Sequence, residues 1–218
     1  MDNFALDHEE LDPVLKELEV INKLLGGFSV FYDAFRRVEL ENGDSVCDWG
    51  CGGGDSLRVL ERYFKGRGLD IRLIGIDATP AAIAFARERN RVFKNMYFSC
   101  ADVLKNEFRQ GEFDVVVSSL FTHHFDDDQW ILLIRKMVYA AKKAVIINDL
   151  HRHWFAYHAI GVLTALFSRS PMVKHDSKIS VLRSFKRNEL ENLILRAGFT
   201  HFTIKWMWAF RWQVIIFK

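Results

Sequence analysis

The sequence predicts an open α/β fold: a seven-stranded, mostly parallel sheet with helices on both faces, ending in an antiparallel hairpin. Three observations carry that expectation. β-rich runs alternate with helical stretches through the middle of the chain, the order that builds a parallel sheet flanked by helices. The first run ends in a glycine-rich turn that opens a helix, the corner at which nucleotide-binding sheets meet their ligands. Two further β runs follow the last helix with only two residues between them, which is hairpin spacing.

From the start of the chain, Leu11, Val14, Leu15, Leu18, Ile21 and Leu25 recur at helical spacing, so residues 12–25 are predicted as an amphipathic helix. Gly26-Gly27 breaks it, and a second helix is predicted with Phe28, Phe31, Phe35 and Val38 on one face. Strands are predicted at 44–48, 72–77, 95–100, 113–118 and 143–149. Helices are predicted near 55–66, 80–91 and 127–141, the last opened by Asp126-Asp127-Asp128, since aspartate favours a helix start. An apolar run over 154–167 follows, and then a polar stretch around His175 predicted as a loop. Residues 186–197 read as a helix closed by Gly198, and 199–206 and 209–217 are the hairpin strands.

The 218 residues fit a single domain, 1–218, long enough to bury a sizeable core, with no linker, repeat or low-complexity segment. Thirty basic residues against 28 acidic ones leave a net charge of +2, too even a balance for a nucleic-acid footprint. Cys47, Cys51 and Cys100 fall at predicted buried positions and form no paired C-x-x-C set, so neither a zinc site nor a disulfide framework is expected. That usage suits a reducing, cytoplasmic setting. Residues 1–7 are acidic and lack an apolar signal core, and the run over 154–167 is too short to span a bilayer.

The chemistry concentrates in Val46-Cys47-Asp48-Trp49-Gly50-Cys51-Gly52-Gly53-Gly54. A dinucleotide site wants G-x-G-x-x-G so that a pyrophosphate reaches the helix N-terminus. Counted from Gly50, the sixth position is Asp55, an anion aimed at that phosphate. The pattern that fits is acidic-x-Gly-x-Gly-x-Gly, from Asp48 through Gly50 and Gly52 to Gly54, and it resembles motif I of the class I S-adenosylmethionine-dependent methyltransferases. The resemblance continues through residues 72–77, 95–102 and the Phe113-Asp114 entry to the fourth strand, and it covers roughly residues 44–218. It implies a Rossmann-like methyltransferase sheet and S-adenosylmethionine as cofactor. Asp48, Gly50, Cys51 and Gly52 would hold the donor's amino-acid end, Asp77 and Ala78 its ribose, Asp102 and Val103 its adenine, and Ser118 would lie at the methyl. For Asp77 and Asp102, a helix cap is the ordinary alternative.

The acceptor side is less defined. The helices within residues 1–38 resemble the lid of small-molecule methyltransferases, with Tyr32 toward the substrate; simple packing on the sheet is the alternative. Residues 151–183 are expected to cap the substrate, with a membrane- or subunit-facing surface and a plain core helix as competing readings. His175 is the first candidate base, oriented by Asp176, and His124 the second; His151 and Arg183 are candidate substrate contacts. The segment 175–185 resembles a bacterial branch found with polyketide and phenolic-lipid pathways. A phenol or enol oxygen is the favoured acceptor. Ser118-Ser119 stands where a metal-dependent mechanism would want a carboxylate, so no metal is expected. The expected partner is a small molecule and not nucleic acid; peripheral membrane contact and oligomeric state stay open. A nicotinamide oxidoreductase, disfavoured by Asp55 and the hairpin, and a non-catalytic donor-binding subunit are the alternatives.

Overall fold

The computed structural model describes residues 8–168 and 170–218, so the first seven residues of the predicted lid lie outside the described residues. The strands are β1 Ser45–Trp49, β2 Arg72–Asp77, β3 Met96–Cys100, β4 Phe113–Ser119, β5 Ala141–Leu150, β6 Phe202–Met207 and β7 Arg211–Phe217. The helices are α1 His8–Leu24, α2 Ser29–Ala34, α3 Asp55–Lys65, α4 Pro80–Asn90, α5 Asp127–Ala140, α6 Trp154–Phe167, α7 Pro171–Arg183 and α8 Arg187–Arg196. All seven strands join one sheet in the order β3-β2-β1-β4-β5-β7-β6. β1 to β5 run parallel, and β7 lies antiparallel between β5 and β6. This is the seven-stranded α/β architecture that the resemblance to the methyltransferases implied.

Period-two alternation along the strands sends side chains to two separate cores. Val46, Val115, Val117, Ala144, Ile146 and Ile215 pack on one face against Phe31 and Phe35, and against Leu57, Leu60 and Phe64 of α3. Cys47, Val116, Val145, Ile147, Val214 and Ile216 pack on the other against Trp130, Leu133 and Ile134 of α5 and Leu190 and Ile194 of α8. Central strands buried on both faces are expected for a parallel sheet. The chain leaves β1 toward β2 and leaves β4 toward β5, so the two neighbouring strands part at their carboxyl ends. That divergence is where sheets of this kind bind ligands.

Four expectations need correction. The stretch around His175 is helix α7, because the Ser170 hydroxyl caps the Val173 N–H, Pro171 supplies a preset first turn, and Val173 and Val181 are buried. The second N-terminal helix is a short α2, and its aromatic face lies inside the sheet core. Phe28, Phe31, Phe35 and Val38 are all buried, so they are packing residues and do not face a ligand. The hairpin loop is three residues long, with Phe210 in the left-handed region at φ 53°. Cys100 is exposed, because β3 is an edge strand. The Asp126 start does form as a capping box: its side chain accepts from Gln129 N at 2.9 Å and Gln129 Oε1 accepts from Asp126 N at 3.4 Å.

Candidate active site

The turn after β1 is held open by its own backbone. Gly50 and Gly52 have φ of 74° and 49°, which side chains resist. A Cβ at Gly50 would also sit 2.3 Å from the Phe121 ring, whereas one at Gly52 would meet nothing nearer than Leu15 Cδ2 at 3.8 Å. Gly50 N and Cys51 N donate to Ile76 O at 2.8 and 3.1 Å, and Gly52 N donates to Asp77 Oδ2 at 3.0 Å. Thr79 N donates to Asp77 Oδ1 at 2.8 Å, so both oxygens of Asp77 are fixed against the turn. Asp48 is buried beneath it, and its Oδ1 has no hydrogen-bond partner among the described residues. Burial, and then the carboxyls of Asp55 and Asp77, push Asp48 well above the usual carboxylate range. The turn therefore gathers the carboxyls of Asp48, Asp55 and Asp77, with one buried Asp48 oxygen unpartnered among the described residues.

A cavity of about 520 Å³ opens from this turn. Asp48, Gly50, Cys51 and Gly52 form one end, and Leu15, Glu19, Ile21 and Leu25 of the N-terminal segment cover it. Phe155, Ile160 and Leu163 of α6 make an apolar wall. α7 contributes His175, Asp176 and Arg183, while His124 and His151 also reach the lining. The structure thus brings together both candidate bases and three of the four candidate substrate contacts. His175 stands exposed at the mouth. Asp176 is its neighbour on a helix, and adjacent helical residues diverge, which weakens any orienting role. The His151 ring packs on Trp212 with centroids 4.7 Å apart, and burial, then His153, lowers its pKa.

The remaining expected residues lie off the cavity lining. Tyr32 stacks on Tyr63 at 4.9 Å, next to the core helices, because α2 turns its aromatic residues toward α3. Ser118 is fully buried and donates to Trp49 O at 3.0 Å, tying β4 to β1; alternation turns Ser119 to the cavity instead. Val103 is buried in the core, and Asp102 Oδ1 accepts from Leu104 N at 3.0 Å in a local turn. Ala78 O accepts a weak contact from Cys100 Sγ at 3.7 Å. Asp77 and Ala78 stand behind the glycine turn, at the β2 end.

Two groups on the lining were not among the expected residues. His123 and Thr122 belong to a 3₁₀ turn, Thr122–His124, directly after β4. His123 Nδ1 lies 2.7 Å from Asp149 Oδ1, and Asp149 Oδ2 accepts from the Thr122 hydroxyl at 2.6 Å and His123 N at 3.1 Å. Burial alone would raise the Asp149 carboxyl, but the His123 imidazole and the hydroxyl and amides around it hold it below its ordinary value. His123 Nε2 is shielded from solvent and has no hydrogen-bond partner among the described residues. The second group is Arg211, at the start of β7, 1% exposed, with Nη1 donating to Asn148 Oδ1 at 3.5 Å. The Asn148 amide donates in turn to Gly27 O and Ser119 Oγ, both at 3.0 Å. The signal in the sequence was Asn148-Asp149, a polar pair directly after the apolar run 144–147 of β5.

Comparison with known proteins agrees with this geometry. A family model described as a methyltransferase domain matches residues 46–144. Phosphoethanolamine N-methyltransferase 1 of Triticum aestivum is 31% identical over 104 residues, covering 47% of this chain but only 20% of that protein. The chain therefore spans about a fifth of that curated relative's length. Among solved structures, a SAM-dependent methyltransferase from Aquifex aeolicus superposes with a TM-score of 0.69 at 15% identity, over 97% of this chain and 98% of that one. Human N-acetylserotonin methyltransferase in complex with SAM gives 0.69 at 15% identity, over 97% and 56%.

The donor's chemistry suits the turn. S-adenosylmethionine carries an ammonium and a sulfonium, and the acidic cluster with its bare Asp48 oxygen favours cations. The room at Gly52 lets a ligand approach the backbone. A pyrophosphate would instead meet Asp55 at the start of α3. Residues 46–144, just under half of the chain, thus match a methyltransferase-domain family model and lie on a seven-stranded sheet of the kind found in the solved methyltransferases.

Proposed function

We propose that the chain methylates a small acceptor with an apolar body at a phenol or enol oxygen, with His123 as the base and Asp149 as its positioning residue. The observation that carries this reading is one cavity running from the glycine turn to the apolar wall of α6, with an aspartate-held imidazole on its side. When bound, the donor supplies a methyl already activated by its sulfonium, so the protein's task is proximity, alignment and removal of one proton. Asp149 accepts a hydrogen bond from Nδ1–H, which keeps the proton there and leaves the lone pair on Nε2, the tautomer a base needs. A phenol loses its proton near pH 10, within reach of a positioned imidazole. The apolar wall suits the phenolic-lipid and polyketide acceptors expected from the resemblance over 175–185. It offers little to phosphoethanolamine, the acceptor named for the wheat relative. The cap, residues 151–183, lies beyond the matched segment 46–144, so acceptor choice need not follow the relatives.

The test is incubation with labelled donor and a panel of alkylphenols, enols, amines and thiols, read by mass spectrometry. O-methylated phenols or enols are expected. His123→Gln should keep donor binding by calorimetry and lose about 10²–10⁴-fold in turnover, the usual size of a general-base effect. His175→Gln, at the exposed mouth, should cost far less. Methylation on nitrogen alone, or full turnover in His123→Gln, would defeat the assignment.

A further inference from the structure

Arg211 is not used by this mechanism. Its guanidinium is buried on the cavity wall, yet its one hydrogen bond among the described residues is the long one to Asn148, and Nε has none. Five N–H donors in a fixed fork are well matched to a carboxylate or another planar anion. Asp149 and Asp55 act on it from a distance, opposing the burial that lowers it to about 10. The local backbone is shaped around it: a Cβ at Gly27 would fall 3.0 Å from Arg211 Cζ and 1.9 Å from Asn22 Oδ1. Asn22 Oδ1 is likewise buried without a partner among the described residues, so the cluster has unspent polar capacity.

In the sheet order this group stands apart from the glycine turn, although Asp55 at the start of α3 still acts on it. Arg211 pairs with Leu150 across β5 and β7, three strands from β1 in the sheet order. The glycine turn is at β1 and Asp77 is at β2, on the opposite side of the strand divergence. The same cavity is also lined by the apolar side chains of Leu25, Phe155, Ala156, Leu163 and Trp208. A buried cation in the wall of a chamber with a large apolar lining suits an amphiphile.

We propose that Arg211 is the specificity-determining residue of the acceptor site, receiving an anionic group on an acceptor whose apolar body lies against α6. This rests on the methyl-transfer reading of the cavity and narrows its substrate class to acidic amphiphiles: alkylated phenols or enols that carry a separate carboxylate, whose reacting hydroxyl still gives its proton to His123.

Two matched probes, decanoate and decanamide, test it by calorimetry on the full chain, with and without saturating S-adenosylhomocysteine. Decanoate should bind at least tenfold more tightly than decanamide. In Arg211→Gln the ratio should fall to within twofold of unity, while S-adenosylhomocysteine affinity changes less than twofold. Equal affinity for both probes in the parent, or a preference that survives in Arg211→Gln, overturns the proposal. Loss of S-adenosylhomocysteine binding with the preference intact also overturns it, since the guanidinium would then serve the donor's carboxylate. If Arg211→Gln fails to fold by circular dichroism, Arg211→Lys keeps the charge without the fork and should retain less than a third of the preference; a full preference there overturns the proposal. A parent protein that binds neither S-adenosylmethionine nor its demethylated product defeats the methyl-transfer reading instead, and the probe ratio is measured independently of that outcome.

Discussion

Donor binding is expected to depend on pH through Asp48. Burial, Asp55 and Asp77 make its carboxyl hold a proton to higher pH than an ordinary aspartate does. A cationic donor favours the carboxylate, so binding releases that proton. Affinity for S-adenosylmethionine should therefore climb as pH rises through the raised pKa, and then level off. Calorimetry across pH should show this slope in the parent and a flatter one in Asp48→Asn; a flat parent profile would sink the idea. Asp48, its glycines and Asp77 were legible in the sequence because one strand, one turn and the next strand end bring them together. His123 with Asp149, and Arg211 with Asn148, were not. Each pair is joined across strands far apart in the chain, and a neighbouring His-His pair gives no sign of which ring turns inward. The 3₁₀ turn decides it, pointing His123 back toward the end of β5.

At the scale of elements, the N-terminal segment divides in two. α1 covers the cavity through Leu15, Glu19 and Ile21, and Glu19 pins it to the fold by ion pairs with Arg58 at 2.8 Å and Arg89 at 2.7 Å. α2 instead supplies Phe31, which is completely buried in the sheet core. The two should respond differently to mutation. Phe31→Ala should destabilise the fold by about 3–5 kcal/mol, read as a lower denaturant midpoint. Removal of residues 1–24 should leave a cooperative transition while weakening donor binding. Global unfolding by the shorter deletion, or a silent Phe31→Ala, would contradict this division. Periodicity revealed both helices, but could not tell a stripe facing a ligand from one facing the sheet. The same limit hid α7, whose Lys174-His175-Asp176-Ser177 segment reads as polar and becomes helical through its Ser170 cap and the burial of Val173 and Val181.

For the molecule as a whole, the architecture was legible because alternation, strand-end carboxylates and the final hairpin all point to one sheet. The cavity was legible only in part: the N-terminal segment, the turn after β4 and residues 151–183 were expected around it, whereas the start of β7 was not. Its apolar wall sets an expectation for the proposed acceptors. Within a homologous alkylphenol series, kcat/KM should rise with tail length by about 0.8 kcal/mol of transition-state binding per buried methylene until the chamber is full. A series with no length dependence would place the tail outside α6. The placement of β7 between β5 and β6 has a further consequence, for how the chain comes together during synthesis. Val145-Ile146-Ile147 lies in β5, and the partners of these three residues, Ile216, Ile215 and Val214, emerge from the ribosome only after α6, α7, α8 and β6. Until then a nascent chain carries an open apolar strand edge, the feature most prone to pair with a neighbouring chain. The sheet closes late, and long-range pairing of this kind is expected to fold slowly and to leave the edge open to aggregation.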